Sequence, residues 1–213
     1  MRYSLSMLLW MLVTAAGLAG LLFAEARDNR RLAFACKPLA STGFLGAAVA
    51  AGAAETPYGR AILAALVLSW IGDVLLLSKR SGAFLGGLAS FLLGHIAFGL
   101  AFVLRGTDRL WALAAVAILI LPALAVDRWL RPHVPADMKL PVRAYIVVIT
   151  GMLALAVGTW GAGASPLILA GALAFYLSDL SVARDRFIRE AFVNRLWGLP
   201  LYYAAQLLLA STV

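Results

Sequence analysis

The chain has 213 residues, 63% of them hydrophobic and only 13% charged, where a soluble domain is about half apolar and a quarter charged. That balance excludes a soluble globular protein and predicts an integral membrane protein. The net charge of +8 does not point to nucleic acid, because the basic residues fall between apolar runs rather than in one patch.

A membrane-crossing helix needs about 20 mostly apolar residues. Eight such spans are expected, over about residues 4–24, 32–51, 59–78, 84–104, 110–126, 141–159, 165–183 and 192–212. The first follows Arg2 and ends near Ala24-Glu25-Ala26, which mimics a signal cleavage site. Its apolar run of about 18–20 residues exceeds the roughly 7–15 of a signal core, and the basic cluster "RDNRR" follows it, so a retained helix is expected. The longest connection, "DRWLRPHVPADMKL" from Asp127 to Leu140, reads as a loop from its prolines and charges. The expected fold is therefore an all-α, polytopic integral membrane protein, with residues 1–213 forming one membrane domain.

Lys and Arg alternate between the connections. Those after spans one, three, five and seven hold thirteen, among them Arg27, Lys79, Arg128 and Arg184; the opposite side has Arg2, Arg60, Arg105 and Arg109. The positive-inside rule then puts the basic loops in the cytoplasm and both termini outside. A bacterial inner (plasma) membrane is the expected location. "WIGD" (Trp70 to Asp73) ends the third span and "YLSD" (Tyr176 to Asp179) the seventh. In each, the acid follows a small residue and has an aromatic three positions earlier, on nearly the same face. A four-plus-four internal repeat would explain the match; a chance likeness of two short segments is the competing explanation.

Several polar residues do not belong in lipid. Lys37 stands early in span two and His95 in the middle of span four. Arg143 and Tyr145 open span six, and Asn194, Tyr202, Tyr203 and Gln206 lie along span eight. Each has an ordinary explanation. Lys37 and Arg143 snorkel to headgroups as readily as they bind phosphate. His95 is a satisfied core histidine, Asn194 a helix cap, and the tyrosines interfacial aromatics. Asp127, Asp185 and Glu190 sit in basic loops and are read as solvated.

Asp73 and Asp179 resist that treatment. A charge at the bilayer centre costs about 2.5–3.5 kcal/mol even on the most lenient scale, so an intramembrane acid marks a functional site. The structural alternative is an ion pair with Lys37 or Arg143. Two close carboxylates would share one proton, giving an acid beside an anion, as acid-catalysed bond cleavage requires. The chain has no nucleophile elbow or H-E-x-x-H motif. Two histidines, His95 and His133, and a single cysteine, Cys36, exclude a histidine-rich or cysteine-based metal site and an intramolecular disulfide.

Taken in order, "KPL", "SWIGDVLLL", "FLLGHIAFGLAF", "PVRAYI", "GALAFYLSDLSVARDRF" and "LYYAAQLLLA" resemble the YhhN-like lysoplasmalogenase family of eight-span membrane proteins, from about Lys37 to Ala210. Phe98 departs from the tyrosine expected there, and no role is carried onto it. The resemblance implies hydrolysis of the vinyl ether bond of a lysoplasmalogen to a fatty aldehyde and a glycerophospho-base, with no metal or organic cofactor. It maps the two essential acids onto Asp73 and Asp179. The expected partner is a lysophospholipid within the bilayer. Lys37 and Arg143 would meet its phosphate, and His95, Tyr145, Asn194, Tyr202, Tyr203 and Gln206 would line the pocket. The sequence does not decide which aspartate is the acid. A proton- or cation-coupled transporter or flippase is the alternative that the same intramembrane acids allow.

Overall fold

The computed structural model describes residues 4–78 and 80–213, and Ser81 by its backbone alone. Arg2 and Lys79 lie outside the described residues. The described residues form eight α-helices: α1 (Leu5–Ala26), α2 (Arg30–Ala50), α3 (Pro57–Leu76), α4 (Ser81–Arg105), α5 (Arg109–Leu130), α6 (Lys139–Gly161), α7 (Pro166–Phe187) and α8 (Phe192–Ala210). Local chemistry starts many of them. The side chains of Ser4, Asn29, Thr56, Asp108 and Ser165 accept from backbone N–H groups of the first turn, which otherwise lack partners. α3 and α7 both follow this cap with a proline, at a position where its missing N–H costs nothing.

Among the described residues, seven helices are long and apolar enough to cross a membrane. α8 falls short in hydropathy because it carries Asn194, Arg195, Tyr202, Tyr203 and Gln206. Asn194, Tyr202, Tyr203 and Gln206 are buried, so these four polar side chains turn into the bundle.

Four hairpins, α1–α2, α3–α4, α5–α6 and α7–α8, make the largest contacts; α4 packs on α6, α2 on α3, α6 on α7, and α8 on α1 and α2. Close approach depends on glycine at several of these seams. A methyl group on Gly43 of α2 would overlap Thr14 of α1, and one on Gly198 of α8 would overlap the Ser181 hydroxyl of α7. The core holds Phe44, Phe98, Phe102, Phe175 and Tyr203, all fully buried. α5 packs mainly on α6 and leaves Leu110 and Ile118 exposed.

Two expected boundaries move. α5 runs through the expected loop to Leu130, a 3-10 turn covers Ala136–Met138, and α6 begins at Lys139. Asp127 is not simply solvated: it accepts from Arg131 at 2.9 Å and Arg143 at 3.0 Å, and neutralising the acid lets the helix continue. α7 likewise extends past residue 183 to Phe187. Asp185 therefore sits on a helix, where it accepts from the Ala191 N–H at 3.0 Å and the Asn194 amide at 2.9 Å. Glu190 pairs with Arg195 at 2.7 Å.

Candidate active site

A cavity of about 660 Å³ penetrates the bundle from the end where the basic connections lie. Its rim includes Asp28, Arg30, Arg186 and Arg189, all exposed. Its interior walls include Phe91, Ile146, Ile149 and Tyr176, and both Asp73 and Asp179 face into it. A volume of this size lies within the range of small-ligand sites, and the mixture of apolar wall and few polar groups is typical of them.

Asp73, in the last turn of α3, is held from two other helices. Lys37 Nζ lies 3.3 Å from Oδ1. The hydroxyls of Ser41 and Tyr202 donate to Oδ2 at 2.6 Å and 2.7 Å. Lys37 and Ser41 are four residues apart on α2 and so share a face; Tyr202 comes from α8. Gly72 lets Phe91 of α4 press close beside the acid, since a Cβ there would meet its ring at 2.6 Å. The Asp73 side chain is only 2% exposed.

Asp179, in the seventh helix, is held from α6 and α4. The Tyr145 hydroxyl donates to Oδ2 at 2.7 Å. His95 Nε2 stands 3.5 Å from the same oxygen. The imidazole is fully enclosed, with the Phe175 ring at 4.4 Å and the Tyr145 ring at 5.2 Å between centroids. The Asp179 side chain is 16% exposed and opens into the cavity. The two carboxylates thus have separate partner sets and are not joined as the proton-sharing pair that two close aspartates would make.

The remaining expected residues divide. Tyr145, Tyr202, Asn194 and Lys37 reach the cavity wall. His95 lies behind Asp179, off that wall. Tyr203 is buried behind Lys37, 3.3 Å from the Ser41 hydroxyl and 3.4 Å from the Lys37 carbonyl. Gln206 is buried, and neither polar atom of its amide has a hydrogen-bond partner among the described residues. Arg143 is the one that the fold takes elsewhere: it is 49% exposed and pairs with Asp127. It faces a small groove beside α5 and not the main cavity. Asn194 is not the cap of α8, which is Ala191; it accepts from Arg184 and donates to Asp185 and the Arg189 carbonyl.

Two residues around the site escape a reading by polarity alone. Ser41 is visible only as the residue four positions after Lys37. Arg195, which appears in the sequence as one more cytoplasmic charge, joins α8 to α1 and α7 through Glu25 at 2.8 Å and Asp185 at 3.2 Å.

Residues 32–213 match the YhhN family. Lysoplasmalogenase TMEM86B of Sus scrofa is 32% identical over 182 residues, covering 84% of this chain and 73% of that protein. The mouse protein of the same name is 34% identical, covering 82% and 71%. A lysoplasmalogenase of Mycobacterium tuberculosis is 31% identical, covering 76% and 65%. No solved structure matches the chain. With a match that runs from α2 to the last residue, the chain belongs to the YhhN family.

Proposed function

We propose that this protein is a lysoplasmalogenase, a hydrolase that cleaves the vinyl ether bond of a lysophospholipid within the membrane. Membership of the YhhN family and relatives named lysoplasmalogenase support the activity. The observation that carries the mechanism is that two intramembrane carboxylates on different helices face one cavity that opens at the basic end of the bundle.

The chemistry asks for a proton donor and a fixed negative charge. A vinyl ether is cleaved by protonation of its outer alkene carbon, which leaves an oxocarbenium ion. Water captures that ion, and the hemiacetal falls apart to aldehyde and alcohol. A positioned acid lowers the first barrier and a preorganised carboxylate stabilises the cation and orients the water. Asp73 and Asp179 supply those two groups. Tyr145 and Tyr202 hold them in place.

Lys37 is committed to Asp73 and Arg143 to Asp127, so the headgroup phosphate falls to the rim. Arg186, stacked 4.0 Å over Phe84, and Arg30, over Phe34, have no carboxylate partner among the described residues. Their guanidinium groups suit a phosphodiester at the membrane surface, with the alkenyl chain running inward along the apolar wall.

All eight helices are assigned as spans, α8 included, because its polar residues are buried against α1, α2 and α7. Basic connections then lie in the cytoplasm and both termini outside, in an inner (plasma) membrane. Partner geometry supports the four-plus-four repeat. Asp73 of α3 takes a partner from α2 and one from α8; Asp179 of α7 takes one from α6 and one from α4. Each acid thus uses the helix before its own and the last helix of the other half.

The test is aldehyde release by the purified protein in detergent from a lysoplasmalogen, with Asp73→Asn and Asp179→Asn alongside. Aldehyde from the wild type and from neither variant is expected. Silence of the wild type on every lysoplasmalogen headgroup would sink the activity; undiminished release by both variants would sink the mechanism.

A further inference from the structure

We propose that His95 and Asp179 hold one proton between them and that this is the proton delivered to the vinyl ether. Asp179 is then the acid of the reaction and Asp73 its permanent carboxylate. The assignment rests on the lysoplasmalogenase activity proposed above and divides the labour within it.

The imidazole fixes its own tautomer. Nδ1 lies 2.7 Å from the carbonyl oxygen of Phe91, one turn back on α4. A carbonyl only accepts, so Nδ1 carries a hydrogen and Nε2 is left as the basic position. Nε2 is buried and has no hydrogen-bond partner among the described residues; the charged group facing it is Asp179 Oδ2 at 3.5 Å. A lone pair on Nε2 set against an ionised carboxylate in a dry site is repulsive, and an unpaired buried polar atom there is costly. One proton between nitrogen and oxygen removes both penalties. The Tyr145 hydroxyl, donating to the same Oδ2, keeps the carboxyl turned toward the ring.

Asp73 is built the other way. It faces a cation on one oxygen and two hydroxyl donors on the other. Three donors and no neighbouring base fit an ionised carboxylate. Its side chain is almost sealed, whereas Asp179 is the more open to the cavity, at 16% exposed. The carboxyl that carries the proton is thus the one better placed to reach a substrate.

The step balances within these groups. The alkene π pair forms a new C–H bond at the outer carbon while the Oδ2–H bond of Asp179 breaks. The ether oxygen shares its lone pair with the adjoining carbon, giving the oxocarbenium ion and leaving the His95–Asp179 pair one proton short. Water adds to the cationic carbon and returns a proton to the pair. Collapse of the hemiacetal moves the hydroxyl proton to the glycerol oxygen through the same pair. One water is consumed and the pair is restored. His95 lies off the cavity wall, so it acts through Asp179 as a positioning residue.

Two substitutions separate the proton from the packing. His95→Asn keeps an N–H for the Phe91 carbonyl; His95→Gln reaches toward Asp179; neither side chain can carry the proton. Both are expected to lower kcat by about 100-fold or more, while KM and inhibition by a saturated 1-O-alkyl lysolipid stay within about threefold. Wild-type kcat in either variant overturns the assignment, as does weakened inhibitor binding that accounts for the loss. A second readout needs no turnover. Nitrogen-15 NMR of histidine-labelled protein, with the exposed His133 replaced by Gln, is expected to show hydrogen on Nδ1 of His95 and an Nε2 signal that moves in Asp179→Asn. An unprotonated Nδ1, or an Nε2 signal indifferent to Asp179, overturns it even if the wild type proves inactive on lysoplasmalogens.

Discussion

The two aspartates are alike in sequence and different in place. Both sit toward the basic end of a capped, proline-started helix, and both accept from a tyrosine at 2.7 Å. Asp73 adds an ammonium and a second hydroxyl; Asp179 adds an imidazole whose free nitrogen faces it. The lesson is that the residue type does not set the role of a buried carboxyl. Its partners do, by deciding whether the proton is expelled or shared.

The largest effect is expected from Asp179→Asn, which removes the proposed proton donor and is expected to leave the fold intact. A fall in kcat of about 1000-fold is expected, with the thermal midpoint in detergent close to that of the wild type. A large loss of thermal stability with kcat preserved would exchange the roles of the two acids.

Asp73→Asn should act on stability as well as rate. It leaves Lys37, whose side chain is 14% exposed on the cavity wall, without its counterion; breaking a fully buried pair costs about 3–5 kcal/mol, so a smaller loss is expected here. Denaturant unfolding measures it. The double change Lys37→Met with Asp73→Leu should recover most of the stability and none of the activity. If Asp73→Asn alone is as stable as the wild type, the ion pair is not what holds α2 against α3.

The tyrosines test the same contrast more gently. Losing a hydrogen bond to a charged group is worth about 1.5–3 kcal/mol. Tyr202→Phe should lower unfolding stability by about that amount. Tyr145→Phe should instead lower kcat about tenfold with KM little changed, because it loosens the carboxyl proposed to carry the proton. Equal effects of both on kcat would contradict the division.

The smallest effect is expected at Arg143. It belongs to an exposed pair with Asp127, and such pairs contribute little. Arg143→Gln should leave KM within about twofold, whereas Arg186→Gln, at the cavity rim, should raise it several-fold. A higher KM in Arg143→Gln than in Arg186→Gln would return the phosphate to the α5–α6 side.

Much of the architecture was legible in the chain. Apolar runs separated by basic clusters mark the helices to within a few residues, and the exceptions have a local cause. Hydropathy treats Asp127 and Asp185 as loop residues because it assigns each charge alone, without the arginines and amides that satisfy them. The same blindness placed Arg143 at the phosphate: its depth suited that role, but its direction around α6 sends it to Asp127. Polarity also drew His95, Tyr203 and Gln206 into one pocket with Tyr202. Of these, the cavity wall takes Tyr202 alone.

The sequence by itself determined that the chain is a bundle of apolar helices and that two acids stand inside it, since both follow from solvation and need no neighbour to be named. Tertiary structure decided what those acids are. Ser41 and Asp73 are 32 residues apart in the chain, and Tyr202 and Asp73 are 129 apart. Helical periodicity states which face a residue occupies but not which face of another helix it will meet. That is set by how the hairpins pack, where glycines such as Gly43 and Gly198 let backbones close, and by the register this packing imposes on the side chains between them.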